Sequence, residues 1–216
     1  MIRTSKLIEP ATDCDLCPRL VEFRSENQKK HPSFVNAPVL SFGDLGAEVL
    51  IVGLAPGLKG ANKTGRPFTG DSAGDLLYPT LVKFGLGDGL FGSHANDGMK
   101  LVNCRITNMV RCVPPQNKPT GLEAAMCRPF LISEISQMKN LKVILALGGL
   151  AHTAVLTTFS ERKKIFKFAH KAQHTLSNGL LLINSYHCSR YNTNTGVLNT
   201  EMFEAVFKCI NFYLNR

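Results

Sequence analysis

Val49-Leu50-Ile51-Val52-Gly53, running into Leu54-Ala55-Pro56-Gly57 and then to Gly65-Arg66-Pro67-Phe68-Thr69-Gly70-Asp71, decides the fold of this chain. An unbroken aliphatic run of this length reads as a strand buried on both faces. The glycines and prolines after it end the strand, and a helix is predicted to start near Ser72. A strand that empties into a long glycine-rich loop and then a helix builds a concave site at its carboxyl end. This loop also holds a carboxylate (Asp71), an aromatic (Phe68) and basic residues (Lys59, Lys63, Arg66). That mixture suits a pocket for something flat and anionic.

Outward from this strand the pattern alternates. A short helix (about Leu16 to Asn27) comes before it. A second strand (Leu101 to Asn108), a proline-rich loop and a helix (Leu122 to Lys139) follow. A third strand (Val143 to Leu147) leads to a helix (Leu150 to Phe159), and a fourth (Leu180 to Asn184) leads to the terminal helix, Leu198 to Leu214. Such alternation predicts an α/β fold with a four-stranded parallel sheet covered on both faces. There is no internal repeat and no low-complexity linker, so one domain over residues 1–216 is expected. The loops after the first, second and fourth strands then deliver Asp71, Asn108 and His187 to one crevice.

At 216 residues the chain can bury a core without staples. It has no apolar run of the roughly 20 residues a membrane span needs, and Met1 to Lys6 lack the apolar core of a signal peptide. A cytoplasmic protein acting as a monomer is expected, with no membrane partner. The formal charge of +9 favours a polyanionic partner, and nucleic acid is preferred. The short cluster Arg162-Lys163-Lys164 reads as a solvated turn.

Seven cysteines is an odd count, so a disulfide framework is not expected. Cys14 and Cys17 stand two residues apart. Cys112 and Cys127 flank the loop Val113-Pro114-Pro115-Gln116-Asn117-Lys118-Pro119. Together they can supply four thiolates, which suit zinc or an iron–sulfur cluster alike. Cys104 and Cys209 read as small buried hydrophobes.

Taken together, these residues resemble the uracil-DNA glycosylase superfamily, most closely its iron–sulfur-containing type b branch (the fifth family). The resemblance rests on Gly53-Leu54-Ala55-Pro56-Gly57, on Gly60 through Asp71, and on Ile106-Thr107-Asn108 with Arg111 through Pro119. His187-Cys188-Ser189-Arg190 with Asn192-Thr193 completes it. It implies a three-layer α/β sandwich and a [4Fe–4S] cluster held by Cys14, Cys17, Cys112 and Cys127, with zinc the alternative metal. It further implies DNA bearing uracil or another deaminated base as the partner, and a nucleoid-associated location. Two positions depart from related patterns. The usual His-Pro-Ser reads His187-Cys188-Ser189, and the position after Gly53, acidic in the uracil-specific type a branch, is Leu54. The latter fits the type b branch, which takes a broader range of bases.

The resemblance also implies roles. Gly53, Ala55, Pro56 and Gly57 shape the base pocket, and Phe68 offers a face for a base flipped out of the stack. Asn108 matches a uracil edge with both amide functions. His187 donates to O2, where negative charge develops, and Asp71 orients water or steadies the cationic sugar while doubling as a helix N-cap. Ser189, Arg190 and Tyr191 form a minor-groove wedge. Arg66, Lys118 and Arg190 contact DNA, the last two through phosphates. Two rival readings remain: a zinc-stabilised nucleic-acid-binding module without catalysis, and an iron–sulfur electron carrier. The first has no use for Asp71, Asn108 and His187 converging, and the long glycine loop counts against the second.

Overall fold

The computed structural model describes residues 6–215; the first five residues, part of the stretch read for a leader, and Arg216 lie outside. The first half of the chain forms α1 (Pro18–Lys30), β1 (Phe42–Gly43), β2 (Val49–Gly53), α2 (Ala61–Thr64), α3 (Ser72–Lys83), β3 (Gly87–Asp88), β4 (Lys100–Leu101) and β5 (Cys104–Asn108). A single 3₁₀ turn, Pro115–Asn117, precedes α4 (Gly121–Gln137). Then follow β6 (Val143–Leu147), α5 (Gly149–Thr158), β7 (Gln173–Thr175), β8 (Leu181–Ser185), α6 (Arg190–Asn194) and α7 (Thr200–Tyr213).

The expected parallel sheet forms the centre: β5 pairs with β2, β2 with β6, and β6 with β8, all parallel. Two strands absent from the sequence reading, β1 and β7, add antiparallel edges. The sheet is therefore six-stranded, in the order β1-β5-β2-β6-β8-β7. Neither edge strand is long enough to show a two-residue period. The predicted second strand also splits. Lys100–Leu101 pairs with β3 in a separate hairpin, and the chain turns through Asn103, at φ +51°, before β5 begins.

Each central strand is buried along its length, and its residues alternate between two cores. Val49, Ile51, Ile106, Leu145 and Ile183 pack against Leu77 and Leu81 of α3 and Phe203, Phe207 and Ile210 of α7. Leu50, Val52, Ile144, Ala146 and Leu182 pack against Leu20 of α1, Leu131 and Ile135 of α4, and Val155 of α5. This gives three layers, helix on sheet on helix. From β2 the chain crosses one face to β5, then crosses the other face back over β2 to β6. The loops diverge at that switch point and leave a crevice beyond the carboxyl ends of β2 and β5. Among the described residues, no helix is long and apolar enough to cross a membrane.

Candidate active site

Gly53 and Asn108 are register partners at the ends of β2 and β5. The pairing runs on past the strands, with Met109 N donating to the Gly53 carbonyl and Val110 N to that of Leu54. A Cβ at Gly53 would overlap Asn108 Oδ1 and the Phe68 ring. Asn108 is buried, yet its amide makes no hydrogen bond with the described residues. A buried amide without partners is costly unless something outside the protein satisfies it.

Phe68 adopts φ +51°, a left-handed backbone uncommon outside glycine. Its ring is buried and stacks on the His187 ring at 5.9 Å between centroids and 30° between planes. Gly74 permits this: a Cβ there would overlap the Phe68 carbonyl oxygen.

Asp71 caps α3, its Oδ1 accepting from Ala73 N at 3.1 Å. Its Oδ2 faces Gly57 and Gly60, where any Cβ would crowd it. Burial raises the Asp71 carboxyl above its usual value, against the backbone hydrogen bonds from Ala73 and Gly74 that lower it. Asp71 is thus both cap and pocket carboxylate, since only one oxygen is used by the helix.

His187 follows β8 by two residues. Asn192 Nδ2 donates to its carbonyl at 2.8 Å, which fixes the turn into α6. Burial lowers the His187 imidazole to about 4, so the ring is neutral at pH 7. Cys188, fully buried, anchors the loop in the core behind it.

Ala55, Pro56, Gly57, Ala61, Phe68, Asp71, Ala73, Asn108 and His187 enclose a recess of about 40 Å³. Ala55, Gly57, Asp71, Ala73 and His187 also line a cleft of about 410 Å³, whose outer walls are Leu54, Ser72, Asn117, Ser189 and Arg190. The three residues that the topology was expected to bring together do meet here. Another cavity, about 250 Å³ between α4 and α5, gathers none of the candidate site residues.

The sequence pattern of the Uracil DNA glycosylase superfamily matches residues 40–210. The chain belongs to that superfamily. It is 42% identical over 201 residues to the type-5 uracil-DNA glycosylase of Thermus thermophilus, covering 91% of each chain. The type-5 uracil-DNA glycosylase of Pyrobaculum aerophilum is 36% identical over 200 residues, 91% of this chain and 87% of the relative. Similarity to a type-4 uracil-DNA glycosylase of the same organism is 34% over 158 residues, 73% of this chain and 66% of the relative.

One site reading for this glycosylase-superfamily chain is corrected. Arg66, read as a DNA contact, is not on the surface. Its guanidinium is buried and forms a bidentate pair with Asp97, 2.7 Å on each arm. It lies among the rings of Phe42, Tyr78 and Phe91, 5.1–5.8 Å from their centroids, and its Nε donates to Thr69. The arginine holds the Asp97 carboxyl far below its usual range. This pair staples the pocket loop to the segment before β4, and a phosphate contact would break it.

Arg190, Tyr191 and Lys118 are exposed, and Ser189 lies on the cleft wall, its hydroxyl capping α6. Asn117 and Ser72 also line the cleft and were not singled out. Asn117, at φ +56°, was legible only as part of the Val113–Pro119 loop.

Cys14, Cys17, Cys112 and Cys127 are all free and line one small pocket with Arg24 and Arg111. Cys17 N-caps α1, Cys127 lies in α4, and Cys112 follows β5. Arg19 clamps the first two elements together, donating to both oxygens of Glu123 at 2.7 Å. Burial and the neighbouring Cys127 thiol push Cys17 up to about 11, so a metal bound here would have to displace the thiol protons. Among the described residues, no three His, Cys, Asp or Glu side chains gather tightly enough for a single metal ion. The donor set, four thiols facing two guanidinium groups, suits an anionic cluster.

Proposed function

We propose that this chain is a monofunctional DNA glycosylase that hydrolyses the N-glycosidic bond of uracil in DNA and leaves an abasic site. The observation that carries this reading is the buried Asn108 amide, without a protein partner, in a recess walled by Phe68, His187 and Asp71. A flipped uracil stacks on Phe68, with Asn108 Oδ1 accepting from N3–H and Nδ2 donating to O4. Water adds to C1′ as the C1′–N bond breaks, and the bonding electrons leave with the base as a uracil anion. The neutral His187 ring donates an N–H toward O2, where that charge collects. Asp71 Oδ2 orients the water and offsets the positive charge on the sugar, and the proton that the water gives up goes finally to the departing uracil anion. The recess is small, so base entry draws on the adjoining cleft.

Ser189, Arg190 and Tyr191 enter the minor groove, and Lys118 meets a phosphate. The absence of a carboxylate at Leu54 supports acceptance of hypoxanthine or xanthine besides uracil. Cys14, Cys17, Cys112 and Cys127 hold a [4Fe–4S] cluster. A single zinc on the same four thiolates, each at about 2.3 Å, is the alternative. When bound, the cluster supplies a four-point cross-link between α1, α4 and the Cys112 loop. The chain works as a monomer and one domain, on the DNA of the cytoplasm.

The test is base release from duplex DNA bearing one uracil, by anaerobically purified protein. Abasic sites support the reading. Uracil retained in the duplex, with protein that binds duplex and keeps its metal, would overturn it in favour of a non-catalytic DNA-binding module.

A further inference from the structure

The stretch from Arg162 to Lys171 contains five exposed basic residues: Arg162, Lys163, Lys164, Lys167 and Lys171. None forms an ion pair among the described residues; the lysines that do, Lys30, Lys83 and Lys142, lie elsewhere. The local carboxylates are otherwise engaged or remain unpaired with this stretch. Glu161 accepts from Ser177 N, Glu204 pairs with Lys83, and Glu201 is exposed on the first turn of α7 without pairing with either lysine.

This stretch is held more firmly than a solvated turn would be. His152, buried in α5, meets the Phe166 carbonyl through Nε2 at 2.9 Å. His174 Nε2 meets the Lys167 carbonyl at 3.0 Å, and Lys171 N donates to the Asn184 carbonyl of β8 at 2.8 Å. His170 reaches the Met202 carbonyl through Nε2, accepts from Tyr186 N through Nδ1, and stacks on the Tyr186 ring at 5.1 Å.

These contacts also fix where the stretch ends. Phe168 lies against Gly149 and 6.1 Å from the Tyr186 ring. Tyr186 is the residue before His187, and Gly148 faces the His187 Cβ. Lys167 and Lys171 therefore sit at the carboxyl edge of β8, on the opposite flank of the His187 loop from the β2 and β5 loops.

We propose that Lys167 and Lys171 form a second phosphate-docking lip that grips the DNA backbone beside the base pocket. This rests on the reading of the chain as a DNA glycosylase. Pinning by three histidines pre-pays the ordering cost, so two lysines on a fixed segment bind a polyanion at a lower entropic cost than a mobile tail would. The contact reads no sequence; it sets the register of the duplex on the protein.

The experiment compares wild type with Lys167→Gln/Lys171→Gln, measuring affinity for an undamaged fluorescein-labelled duplex across a salt series. Each lost phosphate contact flattens the plot of log K against log salt by about 0.9. The double variant is therefore expected to lose about 1.8 from the slope. From about 50 to 200 mM salt, wild type should then lose roughly tenfold more affinity than the variant. Lys171→Glu should weaken binding further. Base release by saturating enzyme should stay at the wild-type rate, because neither lysine touches the pocket. An unchanged slope and unchanged affinity would overturn the lip. Because the duplex carries no uracil, the outcome is independent of catalysis. A changed slope in protein that releases no base would support the lip and overturn the activity, and base release with an unchanged slope would do the reverse.

Discussion

Gly53 and Asn108 face each other across the last rung of β2 and β5, and the space left by the missing Gly53 side chain is filled by the Asn108 amide and the Phe68 ring. The parallel register therefore does more than close the sheet. It sets the amide that matches a base edge directly on a strand end, against the loop-borne ring that stacks on the base.

Gly53→Ala is expected to fold, since Gly53 sits at ordinary strand torsions, but to displace Asn108 and Phe68. A shift on the order of 1 Å at a reacting site costs about 10²-fold. Single-turnover base release should fall by at least that much while duplex affinity holds. Full activity in this variant would show that Asn108 does not need its present position.

The two pocket titrations separate by sign. His187, lowered to about 4 by burial, stays neutral through the working range and gives no limb above that value. Asp71, raised by burial, protonates above the usual carboxylate range. Base release should therefore fall as pH drops through the raised Asp71 value, and Asp71→Asn should remove that limb along with most of the rate. Stability follows the same bookkeeping. The unfolded chain binds a proton on His187 near pH 6.5 and the folded chain only near 4. The His187 contribution is thus complete above about 6.5 and is lost as pH falls through that window. His187→Asn should flatten that part of the stability profile in urea titrations. It should also cut base release by about 10²–10³-fold, the usual cost of losing one oxyanion donor.

Glu134 holds two buried arginines. Its Oε1 accepts from Arg105 Nε at 2.6 Å and its Oε2 from Arg111 Nη2 at 2.7 Å. Burial would raise this carboxyl, but Arg111 and Arg105 more than offset it and hold it low. Glu134→Ala leaves Arg111 without a carboxylate and Arg105 with only the longer Glu9 contact at 4.0 Å, and should cost about 3–5 kcal/mol. The midpoint of denaturant unfolding checks this, and a change of under about 1 kcal/mol would mean that water reaches the arginines. Because Arg111 adjoins Cys112, metal content should fall in the same variant.

The central strands were legible because burial on both faces leaves an unbroken aliphatic run, as in Val49 to Val52 and Val143 to Leu147. β1 and β7 were not, because two or three residues carry no period. The convergence of Asp71, Asn108 and His187 followed from strand order, since Asn108 closes β5, His187 follows β8 by two residues and Asp71 ends the loop that leaves β2. Arg66 was misread because its partner Asp97 lies 31 positions away, and nothing local in the sequence marks that pairing. The Lys167–Lys171 lip was passed over for a related reason. The histidines that pin it are individually unremarkable, and only the fold shows that their partners are carbonyls of one loop, the Met202 carbonyl of α7 and the backbone beside His187.

The thiol pocket makes the last prediction. Cys14 and Cys17 belong to a segment before the region that matches the superfamily pattern, whereas Cys112 and Cys127 lie within it. Metal taken up there ties α1 to the α/β core across about 100 positions of sequence, which closes a long loop and should stabilise the fold accordingly. Anaerobic protein is expected to be brown, with iron and sulfide in equal amounts. Cys14→Ser and Cys127→Ser should each lower iron content and thermal stability together. Colourless protein with one zinc per chain would replace the cluster by a single ion. Wild-type stability in the metal-free Cys14→Ser variant would mean that Arg19 and Glu123 alone hold α1 in place.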